Sequence, residues 1–176
     1  MQPGHHTVGS PACDGSAFRS RSTSSLTGTR CTASEGPNDA LERVGGHAVK
    51  SPAELVEAAA VVVTCVPSIE ALEKVVGGAQ GIAAAMRPGL VVVDVGTFSV
   101  ARKERIRERL RSVGAEMLDA PVSGTPEMVA ARKATAFVSG RPELYELVEP
   151  MLRRSAKRHR TSAISERDRR SSTSHN

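Results

Sequence analysis

The stretch D-A-P-V-S-G-T-P-E, residues 119–127, gathers Asp119, Ser123, Thr125 and Glu127 around a Pro and a Gly between two apolar runs. Hydroxyls next to a glycine can let backbone approach a ligand and present oriented donors to it. Two other places share that character: Val66-Pro67-Ser68, and Asp94 to Thr97. Each ends an apolar run in small or hydroxyl residues. A single such place is a connecting turn, whereas three at one sheet edge form a candidate binding site. Asp94 and Asp119 fit turn-capping better than chemistry, because a strand-end Asp commonly bonds the backbone that follows it. The His5-His6 pair has no third ligand nearby, so no metal site is assigned.

The elements that must position these residues lie between 37 and 152. Ser51, Pro52 and Glu54 form a capping-box pattern and predict a short helix. V-V-V-T-C-V-P, 61–67, is a β-branched run stopped by Pro67, as in a strand buried on both faces. S-I-E-A-L-E-K-V-V and G-I-A-A-A-M-R-P-G supply helical material before L-V-V-V-D-V-G-T, 90–97, a second buried strand. In A-R-K-E-R-I-R-E-R-L-R-S-V-G, Ile106, Leu110 and Val113 share one side of a helix with the charges facing water, and Gly114 closes it. A-E-M-L-D-A-P-V predicts a third strand and A-T-A-F-V-S-G a fourth. P-E-L-Y-E-L-V-E-P-M-L predicts a helix with Leu144, Leu147, Val148 and Met151 inward. This alternation implies an α/β fold: Rossmann-like, a partial parallel sheet with flanking helices and disordered termini. In such sheets ligands bind beyond the carboxyl ends of the strands, which is where the three candidate turns fall.

The flanks have a different composition. Residues 1–36 are rich in Ser, Thr, Gly and Arg without periodicity, and residues 153–176 carry eight Lys/Arg against two acids. Both are expected to be disordered, leaving 37–152 as one folded domain. That middle holds 13 Lys/Arg against 15 acids, so the basic balance belongs to the tail. With three Phe, one Tyr and no Trp there are few stacking platforms, and nucleic acid is not an expected partner. No apolar run is long enough to span a membrane. Cys13, Cys31 and Cys65 form an odd, unclustered set, which fits a reducing, cytoplasmic setting with Cys65 as a small core residue.

V-V-V-T-C-V-P-S-I-E-A-L-E-K-V-V, R-P-G-L-V-V-V-D-V-G-T-F-S and the segment from Gly114 to Leu152 together resemble the NAD(P)-binding domain of the β-hydroxyacid dehydrogenases. This is the 3-hydroxyisobutyrate dehydrogenase and tartronate semialdehyde reductase group, related to 6-phosphogluconate dehydrogenase. The resemblance covers about residues 38–152. It implies hydride transfer between NAD or NADP and a small 3-hydroxyacid. It also implies that Val66, Pro67, Glu70 and Thr97 contact the dinucleotide, and that Ser123, Gly124 and Thr125 hold the substrate carboxylate. Thr125 stands where the family has a second Gly, and Gly96 where it has a Ser.

Two family features are not found in the sequence: a G-x-G-x-x-G turn after a first strand, and the lysine-bearing helix after the dinucleotide domain. No catalytic residue is therefore assigned, and an incomplete or inactive version is expected. Composition changes abruptly at both ends of the resemblance, which implies ends that differ from the family's through truncation or a shifted reading frame. The alternative is a non-catalytic interaction module: the exposed sheet edge left by a missing first strand would pair with another chain, for which a homo-oligomer is one form.

Overall fold

A computed structural model describes residues 8–11, 31–35, 47–85, 88–155 and 158–163. Its strands are β1 (Val8–Pro11), β2 (Cys31–Glu35), β3 (His47–Ala48), β4 (Val61–Thr64), β5 (Val91–Asp94), β6 (Glu116–Asp119), β7 (Val122–Ser123), β8 (Thr135–Gly140) and β9 (Arg158–Ala163). The helices are α1 (Pro52–Ala58), α2 (Ile69–Gly77), α3 (Val100–Ser112), α4 (Pro126–Ala130) and α5 (Pro142–Ser155). All strands join one sheet in the order β3-β2-β1-β4-β5-β6-β8-β7, with β9 on β8. Pairing is parallel from β3 across to β6, and β8 runs antiparallel to β6 and β7.

The two apolar faces follow from strand alternation. Val62, Val92 and Met117 point to one side, where Leu55, Leu72, Ile82, Ile106 and Leu110 bury them. Val61, Val63, Val91, Val93 and Leu118 point to the other, against Ala136, Val138, Val148 and Leu152. A strand apolar on every residue is thus buried on both faces, as the runs at 61–64 and 91–94 require.

Helix starts match their caps. Ser51 accepts from the Glu54 N–H at 3.2 Å and Ser68 from the Ala71 N–H at 3.2 Å. The described residues 81–85 are less helical than their alanines suggest, holding a 3-10 turn at Ile82–Ala84 that follows Gly81. In α5, Val148 and Leu152 are buried while Leu147 is exposed, so the inward stripe lies a little to one side of the predicted one.

Within the flanks, residues 8–11, 31–35 and 158–163 are β1, β2 and β9, joined to neighbouring strands by backbone pairing, and 153–155 end α5. The rest of those segments, with His5 and His6, lies outside the described residues. Two expectations need correction. The position beside β4 is filled by β1, with Val8 opposite Val61 and Gly9 opposite Val62, so the exposed edge assumed for an interaction module is not there. Finally, Cys65 is disulfide-bonded and half-buried rather than a reduced core residue, since it follows β4 at the rim and not within the sheet.

Candidate functional site

The last residues of three adjacent parallel strands stand in one row: Thr64 is opposite Asp94, and Asp94 opposite Asp119. Their register puts all three at the carboxyl edge, on the face covered by α2 and α3. The Thr64 hydroxyl donates to Asp94 Oδ1 at 2.7 Å. Lys103, in the first turn of α3, reaches under the same edge. Its Nζ lies 2.7 Å from Asp94 Oδ2 and 2.5 Å from Asp119 Oδ1, and it donates to the Gly96 carbonyl.

Lys103 is 3% exposed and Asp94 is fully buried, with Asp119 at 20%. A cation near a helix N-terminus opposes the helix dipole, and here two carboxylates compensate it. Burial pushes the Asp94 carboxyl above the ordinary aspartate range. Lys103 and the Thr64 hydroxyl pull it back, and the charge on Asp119 pushes it up again.

The Asp94–Thr97 rim is shaped by Phe98. Its ring, half-buried against the α2/α3 core, folds back over Gly96 so closely that a Cβ there would clash. The Lys103 ammonium lies 5.6 Å from the same ring's centroid. Gly96 in place of the family's Ser is thus matched to Phe98. Thr97, beside it, is exposed.

At the Asp119–Thr125 rim, Ser123, Gly124 and Thr125 are all exposed. Gly124 takes φ +152 and lies against Ala134, where a Cβ would come within 3.0 Å. Thr125, at φ −78, is in ordinary extended backbone and caps α4 by accepting from the Met128 N–H at 3.3 Å. The special backbone demand therefore falls on Gly124, and a side chain at 125 is accommodated.

At the third rim Val66 is half-buried against the α2/α3 core and Pro67 is exposed. Glu70, in the first turn of α2, is held at 2.5 Å by Arg102, which also pairs with Glu73 at 2.9 Å. The hydrogen bond from Arg102 first, then those from Glu70's own backbone N–H and from Ser68, lower the Glu70 carboxyl below the ordinary glutamate range. The strand-end row and Lys103 tie the rims together. Lys103 was not among the expected site residues, yet a signal existed: residues 103, 106, 107 and 110 are one helical stripe, and all four are buried.

The sheet order from β3 to β6 is that of a dinucleotide-binding fold, with the reversal of strand order falling between β1 and β4. The family comparison agrees: residues 23–164 fit the model of the NAD binding domain of 6-phosphogluconate dehydrogenase. The chain belongs to this NAD-binding domain family. The match runs past residues 38–152 into both flanks.

Curated relatives include L-threonate dehydrogenase of Cupriavidus necator, 42% identical over 61% of this chain and 36% of the relative. The 2-hydroxy-3-oxopropionate reductase of Escherichia coli is 30% identical over 64% of this chain and 39% of its own length. This chain thus spans well under half of those relatives. Among solved structures, a 3-hydroxyisobutyrate dehydrogenase from Salmonella typhimurium superposes with a TM-score of 0.77 at 25% identity, covering 90% of this chain and 56% of that one. Psf3 in complex with NADP+ and 2-OPP gives 0.77 at 25%, covering 94% and 60%.

The fit to a dinucleotide is divided. At the ends of β4 and β5 and beyond β6 the rims are exposed at Pro67, Thr97 and Ser123-Gly124. On the pyrophosphate side, β1 ends on Pro11, which has no N–H to offer a phosphate, and A-C-D-G follows in place of a glycine-rich turn.

Proposed function

We propose that this chain binds NAD or NADP in the crevice at the carboxyl ends of β1, β4, β5 and β6, as the dinucleotide domain of a 3-hydroxyisobutyrate dehydrogenase-like oxidoreductase. The observation that carries this reading is the strand order with three exposed rims on one edge, in a chain of this family. Val66, Pro67, Glu70 and Thr97 are the proposed dinucleotide contacts. Ser123, Gly124 and Thr125 are the proposed grip on a small 3-hydroxyacid, supported by their exposure beside the strand-end row. The same relatives support hydride transfer as the reaction of the whole enzyme. For this chain an incomplete version is proposed, since it spans well under half of its curated relatives and no G-x-G-x-x-G turn is found in its sequence.

Titration with NADH and NADPH, followed by nicotinamide fluorescence, tests the reading. Binding tighter than about millimolar, roughly −4 kcal/mol, supports a working half-site, and no binding at several times that concentration refutes it. The fluorescence is free of tryptophan background, since the chain has none.

A cytoplasmic place of action is proposed with this reading and is tested by cell fractionation: recovery of the chain in the cytoplasmic fraction supports it, and recovery in a secreted or membrane fraction counts against it. No membrane-crossing role is proposed, and no helix among the described residues is long and apolar enough to cross one.

A further inference from the structure

We propose that Lys103 is a positioning residue that clamps the β5–α3 loop to the segment that follows β6, residues 120–125, holding Thr97 and Ser123-Gly124 in one relative geometry. The inference rests on the binding reading for what is held, and on side-chain geometry alone for the clamp. One ammonium contacts acceptors from three separate places: the Asp94 carboxylate at the end of β5, the Gly96 carbonyl within the loop that carries Thr97, and Asp119 at the head of the loop that carries Ser123. One backbone bond, Ala120 N–H to the Asp94 carbonyl at 2.7 Å, ties the first residue after β6 to the end of β5. Farther out, Nζ is the link between the two segments, since among the described residues it alone joins Asp119 to the Gly96 carbonyl.

The clamp is itself fixed. The Lys103 N–H bonds the Ser99 carbonyl at 3.0 Å, anchoring the helix turn, and the side chain is buried, so its ammonium cannot turn to solvent for alternative partners. At 3% exposure it presents almost no surface at the rims, which sets it apart from an exposed general acid or base. Phe98 lies across Gly96, whose missing Cβ leaves the space for that ring. Gly96, Phe98 and Lys103 thus work as one local unit that sets the height of Thr97.

Amide hydrogen exchange on the full chain, with and without NADH, tests the clamp. Asp119→Asn removes the charge at one end of the tie. The expected result is exchange about tenfold faster at Gly96, Thr97 and Phe98, the ratio that corresponds to one charge-assisted hydrogen bond, although Asp119 belongs to the other loop. Lys103→Met should speed both loops together. Asp119→Glu, which keeps a carboxylate on a partly exposed side chain, should restore slow exchange at Gly96–Phe98.

The clamp is overturned if Asp119→Asn changes only residues 119–125, or if Asp119→Glu behaves like Asp119→Asn. Should Lys103→Met fail to fold, the two Asp119 variants decide the matter. The ligand arm is separate: if NADH slows neither loop in the unmodified chain, the dinucleotide reading fails while the ligand-free comparison still judges the clamp.

Discussion

Replacing Lys103 by Met should be among the most destabilising single changes in the domain. Lys103 Nζ sits 2.7 Å from Asp94 Oδ2, and Asp94 is fully buried. The gross attraction at that distance is about 6 kcal/mol in an effective dielectric of about 20, most of it spent on desolvating the two charges. What the variant loses is the compensation of a buried carboxylate, which costs about 3–5 kcal/mol. A domain with about 5–15 kcal/mol in total would be brought near its unfolding threshold. Adding Asp94→Asn removes the stranded charge, so the double variant should be more stable than Lys103→Met alone, with a coupling of about 2–3 kcal/mol.

The pH dependence carries a definite sign. Asp94 already has a raised carboxyl pKa in the folded chain, with Lys103 opposing the rise. A raised acid contributes stability that is full below its unfolded value and lost as pH rises through the folded one. Without Lys103 the folded value rises further, so Lys103→Met should recover stability relative to the unmodified chain as pH falls from neutral toward the ordinary aspartate range. Urea unfolding followed by far-UV circular dichroism measures this, since the chain has no Trp and one Tyr. A loss below about 1 kcal/mol for Lys103→Met, additive losses in the double variant, or a pH trend of opposite sign would refute the reasoning.

Other expectations concern the loops. Gly124→Ala should cost about 1–3 kcal/mol from backbone strain and contact with Ala134, 3.0 Å away, read as a lower urea midpoint. Thr125→Ala should cost about 1 kcal/mol through its lost cap, whereas Thr125→Gly should cost only a few tenths; equal losses would deny the capping role. Gly96→Ser should cost about 1–3 kcal/mol by overpacking against Phe98, and much less in a Phe98→Ala background, a difference that thermal melts would show. In Arg102→Gln the Glu70 carboxyl should titrate closer to the ordinary glutamate range by NMR, because Arg102 is the leading cause of its lowering. Glu70 favours the folded state above that ordinary range, an effect lost as pH falls through its lowered value.

The two central strands and the faces they bury were legible in the sequence because β-branched runs of that length have few other uses. Val61–Thr64 and Val91–Asp94 lie where those runs fall. Ser51 and Ser68 cap helices for a reason visible in their own neighbours. What escaped was interaction at a distance. β1, β2 and β9 are held by backbone pairing, which leaves no mark in side-chain pattern. Charged residues of α3 were expected to face water, yet Lys103 and Arg107 are buried beside Ile106 and Leu110. Charge type outweighed position in that expectation, although the 3.6-residue period already placed both on the apolar stripe. The Thr64-Asp94-Asp119 row was equally hidden, because strand register is a property of pairs and not of any one segment.

The antiparallel strand beside β6 makes the crevice one-sided. Asp119, the last residue of β6, is opposite Ser139, whereas β8 begins at Thr135 and pairs there with Ser123. Four residues of β8 therefore stand above the edge at which β4, β5 and β6 stop, a height of about 13 Å at roughly 3.3 Å per residue. With β7 alongside, they form a parapet along one flank of an otherwise open ledge. A molecule laid across the strand ends, as the proposed binding requires, would meet that parapet at the Ser123 end, which leaves the β4 side and the space above the strand ends as its ways in.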